Sequence, residues 1–198
     1  FLKPLEYISN NIDGMRTVCK VSSELKIPIV FSSSSSVYGE VKKVPINELT
    51  ELNPLSPYGE TKLFCEKMLK WCEDVYGLRW VSLRYFNASG ADSELEIGEN
   101  HDPETHIIPL AIKALGKNGK ILKIYGSDFC TFDGTAVRDF IHVSDLASAH
   151  LEAINYLSNG GTSDVFNLGS GSGTSIKSII DALEKISSYK MKVEFCNR

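Results

Sequence analysis

The chain has 198 residues, is 42% hydrophobic and 23% charged, and carries a net charge of −4 at pH 7. Such values suit a globular protein of one domain or a domain and a fraction, and the lack of a basic block argues against nucleic acid as a partner. No apolar run reaches the ~20 residues of a membrane span. Phe1-Leu2-Lys3-Pro4 is not a signal peptide and the chain does not start at Met, so it is expected to begin inside a longer protein.

Residues 5 to 25 carry Ile8, Ile12, Met15, Val18, Cys19 and Leu25 at roughly helical spacing, and Pro28 closes that helix. Ile29-Val30-Phe31 is a short apolar run suited to a strand buried on both faces. Residues 32 to 55, rich in Ser, Pro and Asn, read as a long loop, and such loops are usually functional. Its Ser32-to-Ser36 run also fits a flexible linker.

The next segment holds the strongest candidate chemistry. Ser56 is a good N-cap, Pro57 suits the first helical position, and Phe64, Met68, Trp71 and Val75 follow at helix spacing as far as Tyr76, with Gly77 to end the helix. Tyr58 and Lys62 then stand one turn apart on one face. An ammonium near a phenol favours the phenolate and is expected to lower the Tyr58 pKa from about 10. A hydroxyl such as that of Ser34 completes a proton relay to a substrate hydroxyl. Tyr38 and Lys42 share the spacing, but Gly39 and Pro45 break any helix there.

Trp80 to Tyr85 reads as a strand, 87 to 104 as a polar loop, 105 to 115 as a helix ended by Gly116, and the alternating 121 to 125 as a strand. A loop over 126 to 138 contains the turn Asp133-Gly134. A helix from Ser144-Asp145 to about Leu157, a strand at 165 to 168, a helix capped by Thr174 or Ser175 and a strand at 191 to 196 complete the chain. Alternating strands and helices predict an α/β fold with a mostly parallel, Rossmann-like sheet, whose ligands bind at the carboxyl ends of its strands.

Other features are weaker. Gly169-Ser170-Gly171-Ser172-Gly173 lies between a strand and a helix, but its G-x-G-x-G spacing fits a tight turn better than a dinucleotide fingerprint. Arg138, in the stretch leading to His142, belongs either to a local ion-pair and hydrogen-bond cluster or to a phosphate contact, for which its guanidinium is suited. The histidines His101, His106, His142 and His150 show no metal-ligand spacing, and no metal is expected. The five cysteines are dispersed and read as free thiols.

Pro4-Leu5-Glu6-Tyr7 with Asn10-Asn11, Phe31-Ser32-Ser33-Ser34 with Val37-Tyr38-Gly39, and Ser56-Pro57-Tyr58-Gly59 with Lys62 form one series of motifs. Leu83 to Asn87, Ile108-Pro109, Asp133-Gly134-Thr135 through Val143, Asp145-Leu146-Ala147 and Phe166 to Gly169 continue it. Together they resemble the UDP-sugar 4-epimerases of the extended short-chain dehydrogenase/reductase family, over essentially the whole chain.

The resemblance implies reversible interconversion of UDP-glucose and UDP-galactose with NAD as cofactor, in a cytoplasmic homodimer. It implies a partial NAD-binding Rossmann domain over 1–86 and a smaller α/β UDP-sugar region over 87–198, with Rossmann elements returning near 137–160. Tyr58 is then the catalytic base, Lys62 its electrostatic partner and a ribose ligand, and Ser34 the third relay residue. Asn10 and Phe86 join these three as cofactor contacts. Asn87 and Arg138 are implied at the substrate phosphates, and residues 123 to 125, including Lys123 and Tyr125, along the uracil. His106, a substrate contact by the same reading, stands where many family members have Asn.

Dehydratases of the family place carboxylates in the loop that here reads Ser33 to Val37, without an acid. Decarboxylases, uronate epimerases and a non-catalytic binding module are the remaining alternatives. The family's glycine-rich fingerprint belongs before Phe1 and its C-terminal substrate residues beyond Arg198, so a fragment, inactive alone, is expected.

Overall fold

The computed structural model describes residues 3–41, 43–94 and 96–198. Lys42, partner of the second Tyr-x-x-x-Lys pair, and the opening Phe1-Leu2 lie outside them. The elements in order are α1 (Pro4–Tyr7), a π-helical stretch (Ile8–Asp13), α2 (Gly14–Leu25), β1 (Ile29–Ser34), a 3-10 turn (Ser35–Val37), α3 (Pro57–Tyr76), β2 (Trp80–Tyr85), β3 (Asn87–Ser89) and α4 (Ile107–Ala114). They continue with β4 (Leu122–Tyr125), β5 (Val137–His142), α5 (Val143–Ser158), β6 (Asp164–Leu168), β7 (Gly173–Ser175), α6 (Ile176–Ser187) and β8 (Val193–Cys196).

The chain divides into two compact units, Phe1–Phe86 with Asp145–Gly169, and Asn87–Ser144 with Ser170–Arg198. In the first, β1, β2 and β6 form a parallel sheet with β2 in the middle. Val81, Leu83, Ala153 and Leu157 pack on one another in one core cluster, and Met15, Cys19, Ile29, Cys65, Leu69, Leu78 and Trp80 in another. The central strand is buried at five of its six positions, the polar Ser82 and Arg84 among them.

In the second unit, β5 pairs parallel with β3 and antiparallel with β7, while β4 and β8 form a parallel pair. Its core gathers Ala111 and Ala114 of α4, Leu122 and Ile124 of β4, and Ile176, Ile179 and Ile180 of α6. Lys123 and Tyr125 alternate with the buried residues of β4 and are exposed.

The expected α/β fold with mostly parallel pairing is found, with local corrections. Strand β1 runs on through Ser32-Ser33-Ser34, and the serines pair with Leu83, Arg84 and Tyr85, so this part of the Ser run is neither loop nor linker. The expected loops at 87 to 104 and 126 to 138 hide the short strand β3 and the start of β5. Charged Arg138 and Asp139 mask the strand pattern there, because β5 has only Ile141 buried. A third short strand, β7, precedes α6, whose N-cap is Ser175. The apolar stripe chosen for α3 is not its buried face: Phe64, Trp71 and Val75 are exposed, while Leu63, Cys65, Glu66 and Leu69 face the core.

Candidate active site

The entry to α3 is built as its sequence implies. Ser56 Oγ accepts the Gly59 N–H at 3.0 Å, Pro57 fills the first turn, and Gly77 closes the helix in the left-handed region at φ 68°. Gly59 meets Ser36 so closely that a Cβ there would stand 2.7 Å from the Ser36 carbonyl oxygen. The missing side chain therefore seats the Tyr58 turn against the segment that follows Ser34.

Tyr58, Lys62 and Ser34 converge. Ser34 Oγ donates to Ser36 Oγ at 3.1 Å and lies close enough to the Tyr58 phenol to lower its pKa. Lys62 Nζ lies 5.6 Å from the Tyr58 ring centroid and donates to the Ser32 carbonyl at 2.8 Å. Burial pushes the Tyr58 phenol above its ordinary value; Ser34 pulls it down, and Tyr7, edge-on at 5.8 Å, adds to the rise. The expected fall driven by Lys62 does not occur: desolvation is the largest influence on this phenol, and Lys62 is not among the groups that shift it. Burial likewise lowers the Lys62 pKa, against a smaller opposing effect of Cys65.

The supports of this turn were not read from the sequence. Asn11, in the π-helical stretch, donates to Thr61 Oγ1 at 2.9 Å, and Thr61 Oγ1 donates to the Tyr58 carbonyl at 2.8 Å. Asn10, its neighbour, is exposed. A π-helical turn of this kind is rare and concentrates at functional sites, but it leaves no periodicity to detect. Deeper in, Glu66 of α3 accepts from Arg84, Ser33 and Ser82, and Arg84 Nη1 donates to Tyr38 Oη at 2.8 Å. Tyr38 is 1% exposed and donates onward to Asn167 Oδ1 at 2.7 Å, which makes it a core residue.

At the carboxyl ends of β1 and β2, Tyr85 Oη lies 2.8 Å from Ser32 Oγ and 2.7 Å from His150 Nε2. His150 Nδ1 lies 2.7 Å from the Leu146 carbonyl, which only accepts, so Nδ1 carries the proton. Tyr85 Oη thus links Ser32 Oγ to the His150 ring. Phe86 follows, half-buried, its N–H donating to the Leu168 carbonyl at 3.0 Å.

The remaining candidates lie in the second unit. Asn87 Nδ2 donates to the Asp139 carbonyl at 2.8 Å. The Asp139 carboxylate accepts from the Ser170 and Gly171 N–H groups at 2.7 and 2.9 Å, so the glycine-serine loop is a turn tied by a carboxylate. Arg138 is exposed and bonds the Val137 carbonyl. His106 caps α4 without a side-chain capping bond and sits beside Glu99, His101 and Glu104, a grouping that two acids two residues before two histidines had not suggested.

The sequence profile of the NAD dependent epimerase/dehydratase family matches residues 1–169. The chain belongs to this family. It is 45% identical over 198 residues to the UDP-glucose 4-epimerase of Halalkalibacterium halodurans, covering 99% of this chain and 59% of that protein. With the UDP-glucose 4-epimerase of Drosophila melanogaster it shares 41% identity, over 98% of this chain and 57% of that one. The chain thus spans about three fifths of the length of these family members. The UDP-glucose 4-epimerase of Brucella ovis in complex with NAD superposes with a TM-score of 0.94 at 43% identity, covering 99% of this chain and 61% of that one. That of Bifidobacterium longum, in complex with NAD+ and UDP, gives 0.82 at 34% identity, covering 100% and 60%.

Proposed function

We propose that the protein containing this chain interconverts UDP-glucose and UDP-galactose by inverting C4 of the sugar, with NAD as cofactor. The carrying observation is the convergence of the Tyr58 phenol, the Ser34 hydroxyl and the Lys62 ammonium at the carboxyl end of β1.

The residues present fit NAD. Strand β1 of the parallel sheet ends at Ser34 beside the Tyr58 turn, and the carboxyl ends of such strands are where a nucleotide binds; Lys62 offers donors suited to ribose hydroxyls. Asn10 and Phe86 are the further cofactor contacts in this reading. NAD, when bound, supplies reversible hydride acceptance at C4.

The protein's own work is proton handling and positioning. Tyr58 Oη accepts the proton of the sugar 4-hydroxyl and returns it after the 4-keto sugar has turned its other face. Ser34, beside that phenol, bridges sugar and base. Lys62 steadies the phenolate, and a second positive charge brought by the cofactor acts in the same direction against the burial that raises Tyr58. Arg138 and Asn87 take the diphosphate, Lys123 and Tyr125 the uracil side, and His106 is the remaining substrate candidate. In the same reading residues 1–86 are the cofactor domain and 87–198 mainly the UDP-sugar region.

We further infer a cytoplasmic homodimer. Phe64, Trp71, Val75 and Tyr76 leave an exposed apolar stripe on α3, and among the described residues no helix is long and apolar enough to cross a membrane. Light scattering tests the dimer; a monomer at micromolar concentration overturns it.

Dehydration is the competing chemistry of the family, but Ser33 to Val37 offers no acid for an elimination. Incubating the full-length protein with UDP-galactose and resolving the products by chromatography separates the two. UDP-glucose is the expected product, and a 4-keto-6-deoxy sugar would instead establish dehydration.

A further inference from the structure

Before α4, the segment from Glu99 to His106 folds back so that Glu99, His101, Glu104 and His106 each bring one ligand atom within 4.8 Å of the others. His101 Nδ1 lies 3.0 Å from Glu99 Oε1 and 4.0 Å from Glu104 Oε2. His106 Nδ1 lies 3.3 Å from Glu104 Oε1 and also contacts Glu99 Oε1. In a tetrahedral zinc site with bonds of 2.0–2.1 Å, neighbouring ligand atoms stand about 3.3 Å apart, a value these spacings bracket.

We propose that these four side chains bind one divalent transition cation of the zinc class. The inference does not rest on the epimerase reading, and where the cation binds, His106 serves it rather than the substrate. Two imidazole nitrogens and two carboxylate oxygens suit a borderline cation, whereas magnesium and calcium take oxygen donors. The glutamates supply the charge a dication needs.

The site is partly pre-formed. The Glu104 side chain is 5% exposed, although it is a carboxylate on an otherwise open segment. Its Oε1 accepts the N–H groups of Thr105 and His106 at 2.8 and 2.9 Å, and its other oxygen is turned toward His101. The two imidazole rings meet edge to face at 5.0 Å.

Both histidines present the same nitrogen, Nδ1, to carboxylate oxygens. A neutral ring with its lone pair there is repelled by the acids. Either a proton on each Nδ1 or a shared cation relieves the repulsion, and a single cation satisfies all four groups at once. His106 is free of capping duty on α4, so binding orders the segment that leads into that helix and engages His106 as a ligand.

The test uses the untagged full chain, stripped with EDTA, dialysed against zinc sulfate and assayed by plasma mass spectrometry. About one zinc per chain is expected. His101→Ala and Glu99→Gln, each checked by circular dichroism, should lower zinc affinity about tenfold or more, with Glu99→Gln the milder change of shape. Cobalt should give the intense visible absorption of a four-coordinate site, absent in both variants. Because Cys130 is exposed, uptake that both variants retain would place the metal on thiols and overturn the site. No uptake by the parent chain would also overturn it, leaving Nδ1–H groups of the two rings donating to the glutamates.

Discussion

Arg84 of β2 and Glu66 of α3 form a two-pronged buried ion pair, Nη2 to Oε2 at 2.6 Å and Nε to Oε1 at 3.0 Å, with side chains 4% and 6% exposed. Glu66 lies about two turns along the helix from Tyr58. The pair thus ties the helix that carries the candidate base to the strand beside β1. Ser33 and Ser82 complete the hydrogen bonding of the carboxylate, and Tyr38 that of the guanidinium.

Removing one partner strands the other charge in the core. Glu66→Ala should cost about 3–5 kcal/mol of stability, read from urea unfolding. The double variant Glu66→Leu with Arg84→Met should recover most of that loss, since apolar replacement of a buried pair is often neutral. A Glu66→Ala protein as stable as the parent contradicts the assignment.

Gly59 packs against the segment after Ser34, where an added Cβ would stand 2.7 Å from the Ser36 carbonyl oxygen. Gly59→Ala pushes a methyl group at the Ser36 carbonyl, a backbone atom that gives way only by moving the segment. A loss of about 1–3 kcal/mol is expected, with a fall in turnover larger than the change in KM. Unchanged stability and turnover would show that the contact is not needed.

The sequence made the Tyr58 turn readable because its signals are local: a Ser cap, a Pro in the first turn, a four-residue spacing and a terminal Gly. Strand Trp80–Tyr85 was readable from Val81, Leu83 and Tyr85 alternating with Ser82 and Arg84, and Asp164–Leu168 from Val165, Phe166 and Leu168, although no position of that strand is fully buried. The serines of β1 hid their strand, since Ser33 is kept inside by a bond to Glu66 rather than by being apolar. On α3, apolar residues occur on more than one face, and the larger, aromatic stripe drew attention from the buried one. The Glu66–Arg84 pair joins residues 18 apart, and Asn11 with Thr61 50 apart, so neither is visible to local pattern.

The Tyr58 phenol is pushed up by burial in the protein alone. A folded pKa above the unfolded value, about 10, means the folded state holds its proton longer. This group's contribution to stability is therefore complete below that pH and is lost as pH rises through the folded pKa. Ultraviolet titration of the parent against Tyr58→Phe should show the missing phenolate appearing above the ordinary tyrosine range. A difference that titrates below it would mean Lys62 outweighs burial.

Burial also protects two thiols. It pushes Cys19 up to about 12, with Cys72 adding to the rise, and Cys65 up to about 11 against a smaller opposing effect of Lys62. With iodoacetamide at mildly alkaline pH, exposed Cys130 should label within minutes while Cys19 and Cys65 react only on unfolding. Rapid labelling of Cys65 in the folded protein would place the packing of α3 in error.

The most direct test of the proposed chemistry is turnover of UDP-galactose by the full-length protein and its Tyr58→Phe variant, compared at matched folding and matched NAD content. If Tyr58 is the base, kcat falls by about 10²–10⁴-fold while the variant still folds. Turnover within about twofold of the parent would remove Tyr58 from the mechanism, and with it the reading of the Ser34, Tyr58 and Lys62 cluster as a proton relay.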